Sequence, residues 1–279
     1  MIKKSVCKEI GRKNYSLIVL FFFFIITHSN INAQTDSIQV GEINRKLIIY
    51  APQNIPDNRP LLISMHGAGQ GADYQQGQAK YESIADTAKF VVVYPAGINK
   101  RWDISGTSDI EFIEAIIDEM YRRYKVDRSR IYLSGFSMGG MMTYYAATKI
   151  ADKIAAFAPI GGYLMRGPNT ASARPVPIIH VHGTNDDVVP YDGSMVSVKA
   201  WAERNNCSMK EQITSPYPSG KNGSCATMNY WGLGDDGVEV VLLTLKGKGH
   251  WHSTDANCVN SSEEIWNFVK KYSLNTIIK

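Results

Sequence analysis

Residues 130–143 read RIYLSGFSMGGMMT, a short apolar and β-branched run that breaks at Gly135-Phe136-Ser137-Met138-Gly139. The run predicts a strand and the residues beyond it a helix, with Ser137 at the apex of a sharp turn between the two. Glycines two positions to either side of Ser137 suit such a turn, because strand and helix backbones crowd there and a side chain would clash. The turn would lift the Ser137 hydroxyl above the sheet. A five-residue spacing can arise by accident, so the flanking sequence has to carry the reading.

Working outward, the chain alternates strand and helix patterns. Residues 44–50 (NRKLIIY) and 61–65 (LLISM) predict strands on either side of a Pro-rich turn, the second ending at His66-Gly67-Ala68-Gly69. A polar loop rich in Gly and Gln follows, then a helix over 81–89. Residues 90–94 (FVVVY) form a continuous apolar run, which fits a strand covered on both faces. After a loop at 97–107, Ser108 with Glu111 three residues on reads as a capping box. Ile110, Ile113, Ile116, Ile117, Met120, Tyr121 and Tyr124 then recur at helical spacing. Beyond the Ser137 turn the pattern continues with an apolar stretch at 154–160, a loop at 161–174, a strand at 177–181 and a helix at 193–204. A strand at 238–245 and a helix at 261–272 close the chain. Such alternation argues for an α/β fold, a mostly parallel sheet with helices on both faces. In such sheets the site lies at the carboxyl ends of the strands.

A serine hydroxyl is a poor nucleophile at neutral pH, so Ser137 needs a histidine to take its proton and a carboxylate to orient that histidine. Asp186 and Asp187 both follow the strand at 177–181, and local sequence does not choose between them. His250 follows the strand at 238–245 in Gly247-Lys248-Gly249-His250, with His252 as its competitor. The glycine before His250 permits a tight loop that swings the ring over the serine, which favours His250. The order Ser, Asp, His along the chain is that of the α/β-hydrolases. Ala68, after an early strand, and Met138, after the nucleophile, are placed to supply the backbone N–H groups of an oxyanion hole. His66 and His182 stand in His-Gly pairs at strand ends and read as loop braces. No His, Cys or Asp spacing matches a zinc site, and no metal or cofactor is expected.

Residues 1–33 read as a secretory signal peptide, with Lys3, Lys4, Lys8, Arg12 and Lys13 ahead of an apolar run at 17–26 and Ala33 at the cut. The run is too short to span a bilayer, so no membrane anchor is expected. Its removal leaves a single catalytic domain over 34–279, secreted or periplasmic. The segment carries the whole formal charge of +4, so the remainder is neutral. That argues against nucleic acid or anionic lipid as a partner. Three cysteines remain. Pairing Cys207 with Cys225 would close a modest Ser-, Pro- and Gly-rich loop and leave Cys258 free, and the other pairings stay open.

The chain resembles the secreted serine esterases of the feruloyl esterase, acetylxylan esterase and polyhydroxybutyrate depolymerase group, carbohydrate esterase family 1. The resemblance rests on LLISMHGAGQ, VVYPAG before Trp102-Asp103, VDRSRIYLSGFSMGGMMTYYAA, HVHGTNDDVVPYDG and GKGHW, in that order along most of the chain. It implies the α/β-hydrolase fold, places the acid at Asp186 and the base at His250, and makes Trp102 a candidate wall of the substrate pocket. It also implies an ester-decorated polysaccharide as substrate, with feruloyl or acetyl groups on xylan. A polyhydroxybutyrate depolymerase-like esterase, a peptidase of the same fold and a silent glycan-binding relative are the rival readings. Relatives usually continue from the histidine into Trp-Pro-Gly, whereas this chain has Trp251-His252-Ser253, a departure that bears on the substrate-facing rim.

Overall fold

The computed structural model describes residues 33–275. The leader expected over residues 1–33 lies, apart from Ala33, outside the described residues. Among these the chain forms strands β1 (Gln34–Val40), β2 (Ile43–Tyr50), β3 (Leu61–Met65), β4 (Val91–Pro95) and β5 (Ile131–Phe136). They are followed by β6 (Ala156–Ile160), β7 (Ile178–Gly183), β8 (Gln212–Tyr217), β9 (Ala226–Trp231) and β10 (Val240–Leu245). The helices are α1 (Ala72–Ala79), α2 (Glu82–Ala88), α3 (Ser108–Tyr124), α4 (Met138–Ala147), α5 (Asp192–Arg204) and α6 (Ser261–Val269).

One sheet joins all the strands in the order β1-β2-β4-β3-β5-β6-β7-β10-β9-β8. Its middle, β4 through β10, is parallel, and antiparallel hairpins extend both edges. Successive side chains of a strand face opposite sides, so the apolar runs divide between two cores. Leu61, Ile63, Met65, Ile131 and Leu133 pack with Ile113 and Met120 of α3, Met142 of α4 and Trp201 of α5. Leu62, Tyr132, Ile160 and Ile179 pack on the other face with Ala79 of α1, Ala85 of α2 and Ile265 and Val269 of α6. This is the α/β architecture read from the sequence. It brings the carboxyl ends of β3, β5, β7 and β10 to one rim.

Several expectations are corrected. The polar stretch after Gly69 is not all loop, since α1 forms there. Its buried side chains are Ala72, Gln75 and Ala79, small or polar, so it has no apolar stripe to detect. Edge strands β1 and β8 went unread because edges are polar, and Pro216 lies within β8, where an edge tolerates it. Strand β9, between β10 and β8, went unread because it is only partly buried. The capping box is not made: the N-cap is Thr107, whose hydroxyl donates to Glu111 at 2.8 Å, while Ser108 donates to Asp103 at 3.1 Å. Tyr121, assigned to the apolar stripe of α3, is 43% exposed.

The disulfide joins Cys225 to Cys258, with Cα atoms 4.8 Å apart, and among the described residues Cys207 is the free thiol, which is buried. Loop length along the chain favoured the Cys207–Cys225 pairing. The sheet overrides it, because β9 lies against β10 and carries Cys225 to the segment before α6, where its N–H donates to Asn257.

Candidate active site

The turn at Ser137 is built from backbone collisions that glycine avoids. Ser137 has φ +54° and ψ −117°, a conformation that non-glycine residues rarely adopt. A Cβ on Gly139 would lie 2.5 Å from the Met65 carbonyl oxygen, and one on Gly135 would overlap the Gly139 carbonyl. Two hydrogen bonds hold the strained residue: its N–H donates to Ile160 O at 2.8 Å, and its carbonyl accepts from Met141 N at 3.0 Å. Strain of this kind persists where the surroundings over-determine it, and it clusters at functional sites.

Asp186 and His250 meet at the same rim. Asp186 Oδ2 lies 2.6 Å from His250 Nδ1. Oδ1 accepts from the Val188 and Val189 amides at 3.0 and 2.7 Å. Burial pushes the Asp186 carboxyl up, but the hydrogen bonds from His250 and the two amides outweigh it and hold it below the usual carboxylate value. Asp187 is exposed, whereas Asp186 is buried against His250. His252, two residues beyond His250, is buried, with Nε2 3.2 Å from Gln75 Nε2, and does not reach the carboxylate. The His250 ring packs at 4.7 Å on Phe136, the residue before Ser137. A Cβ on Gly161 would lie 3.4 Å from His250 Nδ1 and 3.5 Å from Asp186 Oδ2, so the loop after β6 closes on the pair. Ser137 Oγ has no hydrogen-bond partner among the described residues, and such contacts often tighten only when substrate is bound.

Beside the serine runs the loop after β3, close enough that a Cβ on Gly67 would stand 3.1 Å from Ser137 Cβ. Gly67 N–H is occupied, donating to Gln70 Oε1 at 2.9 Å. Neither Ala68 N–H nor Met138 N–H has an acceptor among the described residues. Met138 opens α4, where unpaired amides and the helix dipole favour negative charge.

His66 braces this loop, as expected. Its Nδ1–H donates to Gly67 O at 2.7 Å, and its Nε2 accepts from Gly97 N at 2.9 Å. Trp102 is a correction. Expected as a pocket wall, it is 3% exposed and belongs to the core, with its indole N–H donating to His66 O at 2.7 Å. A side chain held there supports the loop from below and presents no face to a substrate. The exposed tryptophan of this rim is Trp251, 64% exposed. It borders a cavity of about 240 Å³ with Lys248 and Asp255.

His182 does more than brace. Its Nε2 lies 2.9 Å from Val189 O and 3.1 Å from Asp186 Oδ2. Behind it His180 Nε2 stands 2.9 Å from His182 Nδ1, and Tyr144 Oη stands 2.8 Å from His180 Nδ1. The alternation in His180-Val181-His182 puts both rings on one face of β7, a sequence signal that the reading of His182 as a loop brace passed over.

Residues 106–228 match the family model for phospholipases and carboxylesterases. The chain is 44% identical over 232 residues to a bifunctional acetylxylan esterase/xylanase of Neocallimastix patriciarum, a match covering 82% of this chain and 34% of that protein. The chain is an α/β-hydrolase, similar in sequence to feruloyl esterases and acetylxylan esterases. Feruloyl esterase B of Piromyces equi is 29% identical over 259 residues, covering 82% of this α/β-hydrolase and 46% of the relative. The chain thus spans about a third to a half of the length of these relatives. Among solved structures, an acetyl xylan esterase from Aspergillus awamori aligns with a TM-score of 0.68 at 17% identity, covering 85% of this chain and 99% of that one. A ferulic acid esterase from Anaeromyces mucronatus aligns at 0.58 and 17%, covering 88% and 90%. These structures share the fold of this α/β-hydrolase. Among its described residues no helix is long and apolar enough to cross a membrane.

Proposed function

We propose that this α/β-hydrolase is a serine esterase that removes acyl groups, feruloyl or acetyl, from plant cell-wall xylan. The observation that carries the reading is the 2.6 Å Asp186–His250 contact at the rim that holds the strained Ser137 turn. Ser137 Oγ attacks the ester carbonyl as His250 Nε2 takes its proton, and Asp186 keeps the other ring nitrogen protonated and the ring oriented. The Ala68 and Met138 N–H groups stabilise the oxyanion, each worth about 100- to 1,000-fold in rate. His250 returns the proton to the departing alcohol, leaving an acyl-enzyme on Ser137. Water activated by His250 then releases the acid.

The substrate class is supported by the names of the relatives, an acetylxylan esterase/xylanase and a feruloyl esterase. Export to the periplasm or the exterior is supported by the pattern of residues 1–33 and by the Cys225–Cys258 disulfide. Turnover of 4-nitrophenyl acetate, abolished in a folded Ser137→Ala variant, is the expected result. Rates on methyl ferulate, acetylated xylan and 3-hydroxybutyrate oligomers then set the acyl group. Activity confined to the oligomers would overturn the cell-wall substrate, and xylan binding without turnover of any ester would overturn the enzyme itself.

A further inference from the structure

We propose that His182, His180 and Tyr144 are positioning residues of the triad, a buried one-way chain of hydrogen bonds that fixes the Asp186 carboxylate and moderates its pull on His250. The direction of the chain follows from chemistry. Val189 O and the Asp186 carboxylate accept only, so His182 Nε2, which faces both, carries the hydrogen. In the neutral ring Nδ1 is then an acceptor, and His180 Nε2 donates to it. His180 Nδ1 accepts in turn from the Tyr144 hydroxyl. Every donor points toward Asp186. The His180 and His182 rings lie nearly parallel, 3° apart in plane, as a fixed stack on β7.

The environment keeps these rings neutral. Burial pushes His180 far below, and His182 below, the ordinary imidazole value. The titratable groups facing His182 are His180 and Asp186, Tyr163 from the loop after β6, Tyr191 at the start of α5, and His250. His250 is the one among them that gains positive charge during the reaction proposed above. Asp186 accepts from two amides on Oδ1 and from His250 on Oδ2, and the His182 N–H, which donates to Val189 O, lies 3.1 Å from that same Oδ2. The partial positive charge of that N–H draws charge from the oxygen that holds His250.

This rests on the esterase reading, and its test separates the two. Three variants are compared with wild type: His182→Phe removes the donor and keeps a ring, His182→Gln restores an N–H, and Tyr144→Phe removes the far end. His182→Phe is expected to lower kcat about tenfold or more with KM little changed. It should also raise the acid limb of the kcat/KM profile by about half a pH unit, since an unmoderated carboxylate makes His250 more basic. Tyr144→Phe should shift the limb the same way by less, and His182→Gln should return it toward wild type. A loss of kcat with the acid limb unmoved would mean a purely structural role and overturn the proposal. The downfield proton resonance of His250 Nδ1–H provides the second readout and requires no turnover. It should move in His182→Phe and Tyr144→Phe, and a resonance fixed in both overturns the chain even if no ester is hydrolysed. Should His182→Phe fail to fold, His182→Gln and Tyr144→Phe decide by the same two readouts.

Discussion

His250 Nδ1 stands 2.6 Å from Asp186 Oδ2, while the other oxygen of that carboxylate is tied to the amides of Val188 and Val189. The acid is therefore held by its own loop before it holds the histidine. Its orientation does not depend on substrate.

Asp186→Asn tests this arrangement with almost no change in shape. The amide can still accept from Val188 and Val189 through its oxygen, which turns its NH₂ toward His250 and forces the ring into the wrong tautomer. The expected result is a fall in kcat of about 10,000-fold on 4-nitrophenyl acetate, with unchanged far-UV circular dichroism. A loss below about tenfold would remove Asp186 from the triad.

Much of this was legible in the sequence, for identifiable reasons. Buried parallel strands such as β3 and β4 declare themselves as unbroken apolar runs, and the Ser137 turn by its obligatory glycines. Residues whose role depends on tertiary neighbours were not legible. Gln75 of α1 is buried against Ser64 and His252, contacts no local pattern predicts. Trp102 sits near the site in sequence, but its depth depends on how the loop after β4 folds beneath His66. Cys258 reaches Cys225 only because the sheet places β9 beside β10.

Acid should destabilise the fold through a histidine that does no chemistry. Burial pushes His252 down to about 4, against an ordinary value of 6.5. Unfolded chains bind a proton there that folded ones do not, so its contribution is full above pH 6.5 and is lost as pH falls from 6.5 toward 4. The shift corresponds to about 3 kcal/mol. Urea unfolding at pH 7, 5.5 and 4.5 should show stability falling with pH, less steeply in His252→Leu. Parallel slopes for the two proteins would show that His252 is not the group responsible.

The Cys225–Cys258 bond closes a loop with a sequence separation of 33 residues. By chain entropy it should stabilise the fold by about 3 to 4 kcal/mol. Reduction, or a Cys225→Ser and Cys258→Ser double variant, should lower the unfolding free energy by that margin, and Tm with it. Cys207→Ser should leave the response to reductant intact, because the free thiol is buried apart from the bond. A Tm indifferent to reductant in the native protein would contradict the pairing.

Trp102 gives the sharpest separation between a substrate wall and a loop support. Its N–H donates to the carbonyl of His66, whose ring in turn fixes Gly67 and Gly97 through Nδ1 and Nε2. That single indole is thus buried against the segment that carries Ala68. Trp102→Phe keeps the aromatic volume near His66, packed at 4.8 Å, but leaves the buried carbonyl without its donor, at a cost of about 1 to 3 kcal/mol. A support should therefore show its loss as lower Tm and lower kcat, equal in proportion for methyl ferulate and for 4-nitrophenyl acetate, because the oxyanion site serves both. A wall would instead raise KM for the bulky ferulate and spare the small acetate. The expected result is the proportional loss, and a KM effect confined to ferulate would restore Trp102 to the pocket.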